Sequence, residues 1–414
     1  MLSEMLPKNL LSLARRGLHS KTRTFYSPTP DFLHEYLSQD SLPSGSLSVF
    51  MLSTSLPNLP GHLSVLQAAF PNSIGSFSVS PPGSEPTVSL ATFWGTDIKV
   101  FKSDLTGRAP AEVGRFQRPE RQRSVPPEDR RGSTSRDVDA AYGQGWEKLW
   151  NGEVQNERIA ELEGVQADTF LLLSDSRPAP VLRALDNMFP KAIKTGILTA
   201  PTPFITNRPN TLLLNGTVIQ SGSIGIAIKG LPSVYKTDFG LEPMLEPVTV
   251  TSAKGNMLLE IDGVNSNPTQ VLINAIQQRG GTGLTKEEEF YLGFLDNGFA
   301  YYLQDVKRVV RILSGDPSRG AMSLDMEDSI KAGQVVQFMH RAAISQNNLP
   351  LVDSIILTSL SRTEQMDSHL MGVPRVTDGF IASSEDGFIY SNPLSSICTA
   401  PNATTTISWG PAII

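Results

Sequence analysis

The side chains that could do chemistry in this chain are scattered rather than paired. The histidines are His19, His34, His62, His340 and His369, and no two stand at the spacing by which imidazoles share a metal ion. A lone cysteine, Cys398, excludes a disulfide framework and any thiolate cluster for zinc or iron–sulfur. No Gly-x-Ser-x-Gly elbow presents a serine nucleophile, and no glycine-rich phosphate loop follows a strand. Gly280-Gly281-Thr282-Gly283 follows a helical stretch and reads as a helix stop. The sequence therefore offers no catalytic residue, no metal site and no cofactor, and it points to binding rather than turnover.

Small polar residues at the ends of apolar runs are the better candidates. Ser174 and Asp175 close the run Thr169-Phe170-Leu171-Leu172-Leu173. Ligand sites in α/β folds lie outside the carboxyl ends of strands, so these groups could hold a polar ligand; equally, Ser and Asp there could cap the following helix. Thr195 and Gly196, and Asp378 and Gly379, carry the same pair of readings.

The elements that position these residues repeat. Leu63, Leu66, Phe70 and Pro71 recur at one common offset as Leu182, Leu185, Phe189 and Pro190. Each set follows an apolar run (Leu47–Leu52 and Thr169–Leu173) and precedes a second short strand, Ile74-Gly75-Ser76-Phe77 or Thr195-Gly196-Ile197-Leu198. A fainter third unit has Ser354-Ile355-Ile356-Leu357-Thr358 and Asp378-Gly379-Phe380-Ile381 as its strands. A continuous apolar run of this length reads as a strand buried on both faces, and strand–helix–strand favours parallel pairing through a right-handed crossover. The expected fold is α+β, close to α/β: repeated strand–helix–strand units forming mixed sheets with outer helices, layered α-β-β-α. Hairpins follow each unit. Asn215-Gly216 predicts a type I′ turn, Ser223 to Lys229 and Ser89 to Val100 read as strands, and Asp386-Gly387 reads as a hairpin turn. Pro268 to Leu313 reads as helical, with Thr285-Lys286-Glu287-Glu288 as a capping box.

Residues 1–30 read differently. Lys8, Arg15, Arg16, Lys21 and Arg23 face a single acid, Glu4, and Leu2, Leu6, Leu10 and Leu13 share one helical face. Such an amphipathic, acid-poor stretch predicts a mitochondrial transit peptide, cleaved near Phe25 or Tyr26, and a matrix location; a cytoplasmic protein with a basic tail is the alternative. A domain at 31–231, carrying a disordered, arginine-bearing insertion at 102–145, then precedes a domain at 232–414, with the seam near Leu231 to Phe239. Hydrophobic residues make up 39% of the 414 and the net charge is −6, enough for a sizeable core and wrong for a nucleic-acid binder. No apolar run of about eighteen residues occurs, so no membrane span is expected.

Three segments, in order, carry a resemblance. Asn215-Gly216 through Ile228, Gly255-Asn256-Met257 through Gly263, and Ile330 through Arg341 resemble the hairpin and strand segments of the FIST family (F-box and intracellular signal transduction). The resemblance covers roughly residues 40–100 and 145–400. It implies a sensing or scaffold protein, with a small metabolite such as an amino acid as ligand. By analogy with F-box relatives it also implies, as an alternative, an adaptor or substrate receptor in protein quality control or ubiquitination with a protein partner. No F-box is found. Ser359-Leu360-Ser361-Arg362-Thr363 lacks the glycines that the family carries there, and Ser383-Ser384-Glu385-Asp386-Gly387 departs from the family turn.

Overall fold

A computed structural model describes residues 18–40, 42–80, 84–95, 97–105, 158–203, 209–278, 289–295, 306–326, 329–341, 352–360, 371–392 and 394–409. The capping box at 285–288, the turn at 361–363, His369 and residues 106–145 of the arginine-bearing stretch lie outside these. In chain order the first group of elements is β1 (His19–Tyr26), α1 (Pro30–Ser38), β2 (Leu47–Ser53), α2 (Leu59–Ala69), β3 (Ser73–Ser78) and β4 (Thr87–Trp94). The second is β5 (Ile98–Ser103), β6 (Thr169–Ser174), α3 (Ala179–Met188), β7 (Ile193–Leu198), β8 (Leu212–Leu214), β9 (Thr217–Ile219) and β10 (Ser223–Ile228). The third opens with β11 (Val234–Asp238). After a long interruption it resumes with β19 (Ser354–Ser359), β20 (Arg375–Asp378), β21 (Phe380–Ser384), β22 (Phe388–Ser391), β23 (Ser395–Cys398) and β24 (Thr404–Ser408). The interruption contains β12 (Leu241–Pro243), β13 (Val248–Lys254), β14 (Met257–Ile261), α4 (Pro268–Gln278), β15 (Phe290–Leu295), β16 (Val306–Gly315), β17 (Met322–Leu324) and β18 (Val335–Arg341).

The strand–crossover–strand units are present. β2 and β3, β6 and β7, and β19 and β21 each pair in parallel. Every residue of β2 and of β6 is buried, as apolar runs with sheet on both sides and packing on both faces require. The two leucine-bearing helices sit in matching surroundings. Leu66 and Phe70 pack on Phe50, Leu52 and Phe77, while Leu182 and Leu185 pack on Phe170, Leu172 and Leu198. Both helices end alike, with the backbone N–H of Phe70 or Phe189 bonded to the carbonyl of Leu66 or Leu185.

The pairing extends the repeat further. The strand order is β1-β4-β2-β3 in the first unit, β5-β10-β6-β7 in the second and β11-β24-β19-β21 in the third, the same four-strand plan each time. The inner faces of all three sheets meet in one core, to which Val49 and Met51, Leu171 and Leu173, and Ile355 and Leu357 contribute the central strands. Hairpins then cross between units. β8–β9, from the second unit, adds to β3 of the first, and β22–β23, from the third, adds to β7 of the second. Asn215 and Gly216 both have positive φ, as a type I′ turn demands.

The third junction is made differently. β20 pairs with β1, and a single bridge joins Val79 to Ser383. Between them the edge of β21 is closed by side chains. Thr24 Oγ1 donates to the Gly379 carbonyl at 2.7 Å and accepts from the Ile381 N–H at 3.1 Å, and Ser89 Oγ donates to the Ile381 carbonyl.

The interrupting segment forms its own antiparallel sheet, β18-β13-β14-β17-β16-β15, which returns to β18 and so closes into a barrel with β12 attached. Leu272 and Ile276 of α4 pack in the barrel core with Leu258, Leu292 and Phe338.

Several expectations are corrected. Of the described residues 47% lie in strands and 15% in helices, so the fold is β-rich, with mixed sheets around a shared core and a barrel, not α+β with outer helices and not an α-β-β-α sandwich. The strand–helix–strand repeat was legible, but the short hairpin strands that outnumber its helices leave weak local signals. Pro268 to Leu313 is helical only to Gln278; Phe290–Leu295 and Val306–Gly315 are strands, whose aromatic and β-branched residues suit a pleated surface. Asp386-Gly387 does not turn a hairpin, because β21 lies in the third sheet and β22 in the second. Lys102 and Ser103, assigned to the insertion, belong to β5. Residues 375–408 rejoin the sheets that residues 19–228 build, so the chain crosses the seam at 231–239 and returns. His19–Tyr26, within the stretch read as a leader, is a strand between β20 and β4, with Phe25 fully buried.

Replacing Thr24 by Val keeps the side chain's shape but strands the Gly379 carbonyl and the Ile381 N–H in the interior. The expected loss of unfolding free energy is about 1–3 kcal/mol, read from urea denaturation at constant slope.

Candidate functional site

The carboxyl ends of the third strands of the three units converge. Backbone bonds tie them in a cycle: the Ala200 N–H donates to the Phe77 carbonyl at 2.9 Å, the Val79 N–H to the Ser383 carbonyl at 2.9 Å, and the Leu198 N–H to the Gly387 carbonyl at 3.1 Å. Just beyond these ends lies a partly open pocket of about 170 Å³, lined by Val79, Ala200, Pro201, Ser384, Glu385 and Asp386. Each unit supplies part of the wall: residue 79 follows β3, residues 200 and 201 follow β7, and residues 385 and 386 follow β21. Pockets for drug-sized ligands measure roughly 300–1,000 Å³, so a site of this size suits a small metabolite or one polar group of a larger one.

Its accessible lining is mainly apolar, with two acids and a serine along one wall. Glu385 and Asp386 are half-buried, which places two carboxylates beside a wall of Val79, Ala200 and Pro201. Ser384 Oγ accepts the Asp386 N–H at 3.1 Å and so shapes the turn. Ser359 lies beside Ser384 in the parallel register; its buried hydroxyl has no hydrogen-bond partner among the described residues. A pocket of this kind accepts hydrogen bonds from a cationic or N–H-bearing group. Among the described residues no three His, Cys, Asp or Glu side chains lie close enough together to hold a metal ion.

The residues named from sequence do not gather into this site. Ser174 is buried at the end of β6 and its Oγ lies 2.6 Å from Ser223 Oγ. Asp175 accepts the Arg177 N–H at 2.8 Å and the Gly222 N–H at 2.7 Å, so its carboxylate joins the end of β6 to the turn before β10 rather than capping α3. The Asp175 arrangement leaves α3 without a side-chain cap. Thr195 lies inside β7 and donates to the Ile389 carbonyl at 3.2 Å, pinning the incoming β22, and Gly196 lies against Leu172 of β6. Asp378 and Gly379 stand at the opposite end of the third unit from the pocket, where the chain passes from β20 to β21. Of the two loops whose sequence departs from the family, 383–387 does line the pocket; its two adjacent acids after a strand were the signal for Glu385 and Asp386.

Several polar groups of the interior tie elements of the scaffold together. Lys194, fully buried, pairs with Asp186 at 2.9 Å and donates to the Phe189 carbonyl at 2.6 Å. Asp186 also accepts from the Ser395 N–H and hydroxyl, which ties α3 to β23. His62 is buried with its ring nitrogens 3.0 and 2.9 Å from the carbonyls of Asn58 and Pro28. Burial pushes the Cys398 thiol from 9.0 up to about 12 and the Tyr235 phenol from 10.0 up to about 12. Desolvation disfavours the charged form of each.

The family model for the FIST N domain matches residues 51–264, just over half of the chain. No curated protein matches it.

Cys398 and Tyr235 hold their protons more tightly folded than unfolded, so the stability they contribute is whole below about pH 9 and falls as pH rises toward 12. Urea midpoints measured from pH 7 upward are expected to decline above pH 9, less steeply in Cys398→Ala. The native thiol is expected to resist an aromatic disulfide reagent at pH 8 and to react at once in denaturant.

Proposed function

Because the chain belongs to the FIST family, we propose that it is a ligand-sensing protein, non-catalytic, whose ligand is a small metabolite carrying an ammonium or other N–H donor. The observation that carries this reading is the pocket at the ends of β3, β7 and β21, where three distant segments meet and two acidic residues, Glu385 and Asp386, stand in the lining. A ligand held there would touch all three units at once, and by binding only the folded chain it would add to the fold's stability. A thermal-shift screen of amino acids, amines and small metabolites tests it. A ligand present at a hundred times its dissociation constant adds about 2.7 kcal/mol, enough to raise the melting temperature by a few degrees. Glu385→Ala or Asp386→Ala is expected to abolish that shift. Silence across the screen, or a shift indifferent to both substitutions, removes the reading. Recovery of ubiquitin-ligase components with the purified protein would favour an adaptor instead.

We further propose that the protein is located in the mitochondrial matrix. The support is the basic, acid-poor N-terminus with Leu2, Leu6, Leu10 and Leu13 on one helical face. A leader cut at Phe25 would delete most of β1 and with it the Thr24 hydroxyl that closes the third junction. Processing is therefore expected upstream of His19. Sequencing the N-terminus of the protein isolated from organelles checks this; a start after His19 contradicts it.

A further inference from the structure

The loop that lines the pocket runs straight into the strand that touches the barrel. Ser384, Glu385 and Asp386 form one wall, Gly387 follows, and β22 begins at Phe388. At the pocket end the chain has no slack. The Gly387 carbonyl accepts the Leu198 N–H, its φ is +100°, and a side chain there would collide with the Cys398 carbonyl oxygen. β22 is then held on both sides: Phe388 and Ile389 pair with Ile197 and Gly196 of β7, and Phe388 to Ser391 pair with Cys398 to Ser395 of β23. At its far end Tyr390, fully buried, meets the Phe239 ring edge-on at 5.4 Å, and the Ser391 N–H donates to the Tyr235 hydroxyl at 2.7 Å. Tyr235 and Phe239 bracket the end of β11, from which the chain enters the barrel, and β23 packs beside β16 of the barrel. From Asp386 to Tyr390 is four residues, about 13 Å of extended strand.

We propose that β22 transmits occupancy of the three-sheet pocket to the barrel, making the barrel the output side of the sensor. The proposal rests on the sensing reading for what fills the pocket, and its physical basis is separate. A strand hydrogen-bonded along both edges and blocked at Gly387 cannot absorb a displacement of the 384–386 loop within itself. The displacement is passed on through packed groups to Phe239 and Tyr235, because a close-packed interior transmits strain. The barrel core then responds where it joins the shared core, at Tyr291, Val306 and Val309.

The experiment needs no ligand. Ala200→Leu fills the pocket from β7, and Glu385→Phe fills it from the loop, where half-exposure lets the fold tolerate the change if Ala200→Leu does not fold. Hydrogen exchange is measured on the full chain across β15 and β16. Either variant is expected to change amide exchange there roughly fivefold or more, the lower end of ordinary allosteric coupling. The change is expected to vanish when Phe239→Leu and Tyr235→Phe, which remove the ring contact and the hydroxyl that holds Ser391, are added. Exchange altered only around residues 79, 200 and 384–387, or a barrel response that survives the added pair, overturns the proposal. A failed ligand screen would remove the sensing reading and leave this result standing.

Discussion

Three sheets closing around one core must leave no strand edge open at the junctions, and the rest of the structure follows from how that is met. Buried backbone N–H and C=O groups without partners cost about as much as lost hydrogen bonds. A four-strand unit with a parallel pair at one side presents a bare edge to its neighbour. At two junctions a hairpin from the next unit fills that edge: β8 on β3 and β22 on β7. At the third the loop after β3 provides one bridge at Val79, and the hydroxyls of Thr24 and Ser89 complete the pairing of β21. Side chains there do what a strand does elsewhere.

That solution places the candidate site. Filling the edges with hairpins brings the ends of β3, β7 and β21 together, and their backbone bonds form a cycle. Three chain ends meeting around a point cannot all fill it, so a small cavity remains, and the residues just past the strands become its wall. The acids at 385 and 386 acquire significance from this position and would be ordinary turn residues anywhere else. The same exchange of hairpins makes β22 a strand of one sheet that begins in the pocket of three and ends against the barrel.

The barrel is accommodated by the same logic. It lies between β11 and β19, in the connection that holds α1 in the first unit. A closed sheet has no edges of its own to protect, so it can sit in such a connection without disturbing the pairing of the unit around it. Leu241, Tyr291 and Met339 still contribute to the shared core, which joins the barrel to the sheets rather than leaving it on a tether.

Sequence by itself determined the local units. The continuous apolar runs at Leu47–Leu52 and Thr169–Leu173, the repeated Leu, Leu, Phe spacing, the third unit at 354–381 and the Asn215-Gly216 turn are all found where the residues predict them, because burial and turn geometry are written in neighbouring side chains. Only the tertiary structure decided which edges those units share, how many short strands join them and where their ends meet. An apolar run reports that a strand is buried without reporting against what, and Thr24 reaches its partners 355 and 357 residues away. For that reason sequence could not show that Asp175, at the end of β6, and Thr195, inside β7, make hydrogen bonds that join strands of the scaffold. The pocket is instead built from Val79, Ala200 and Glu385, three residues with no relation in sequence except that each follows the end of an equivalent strand.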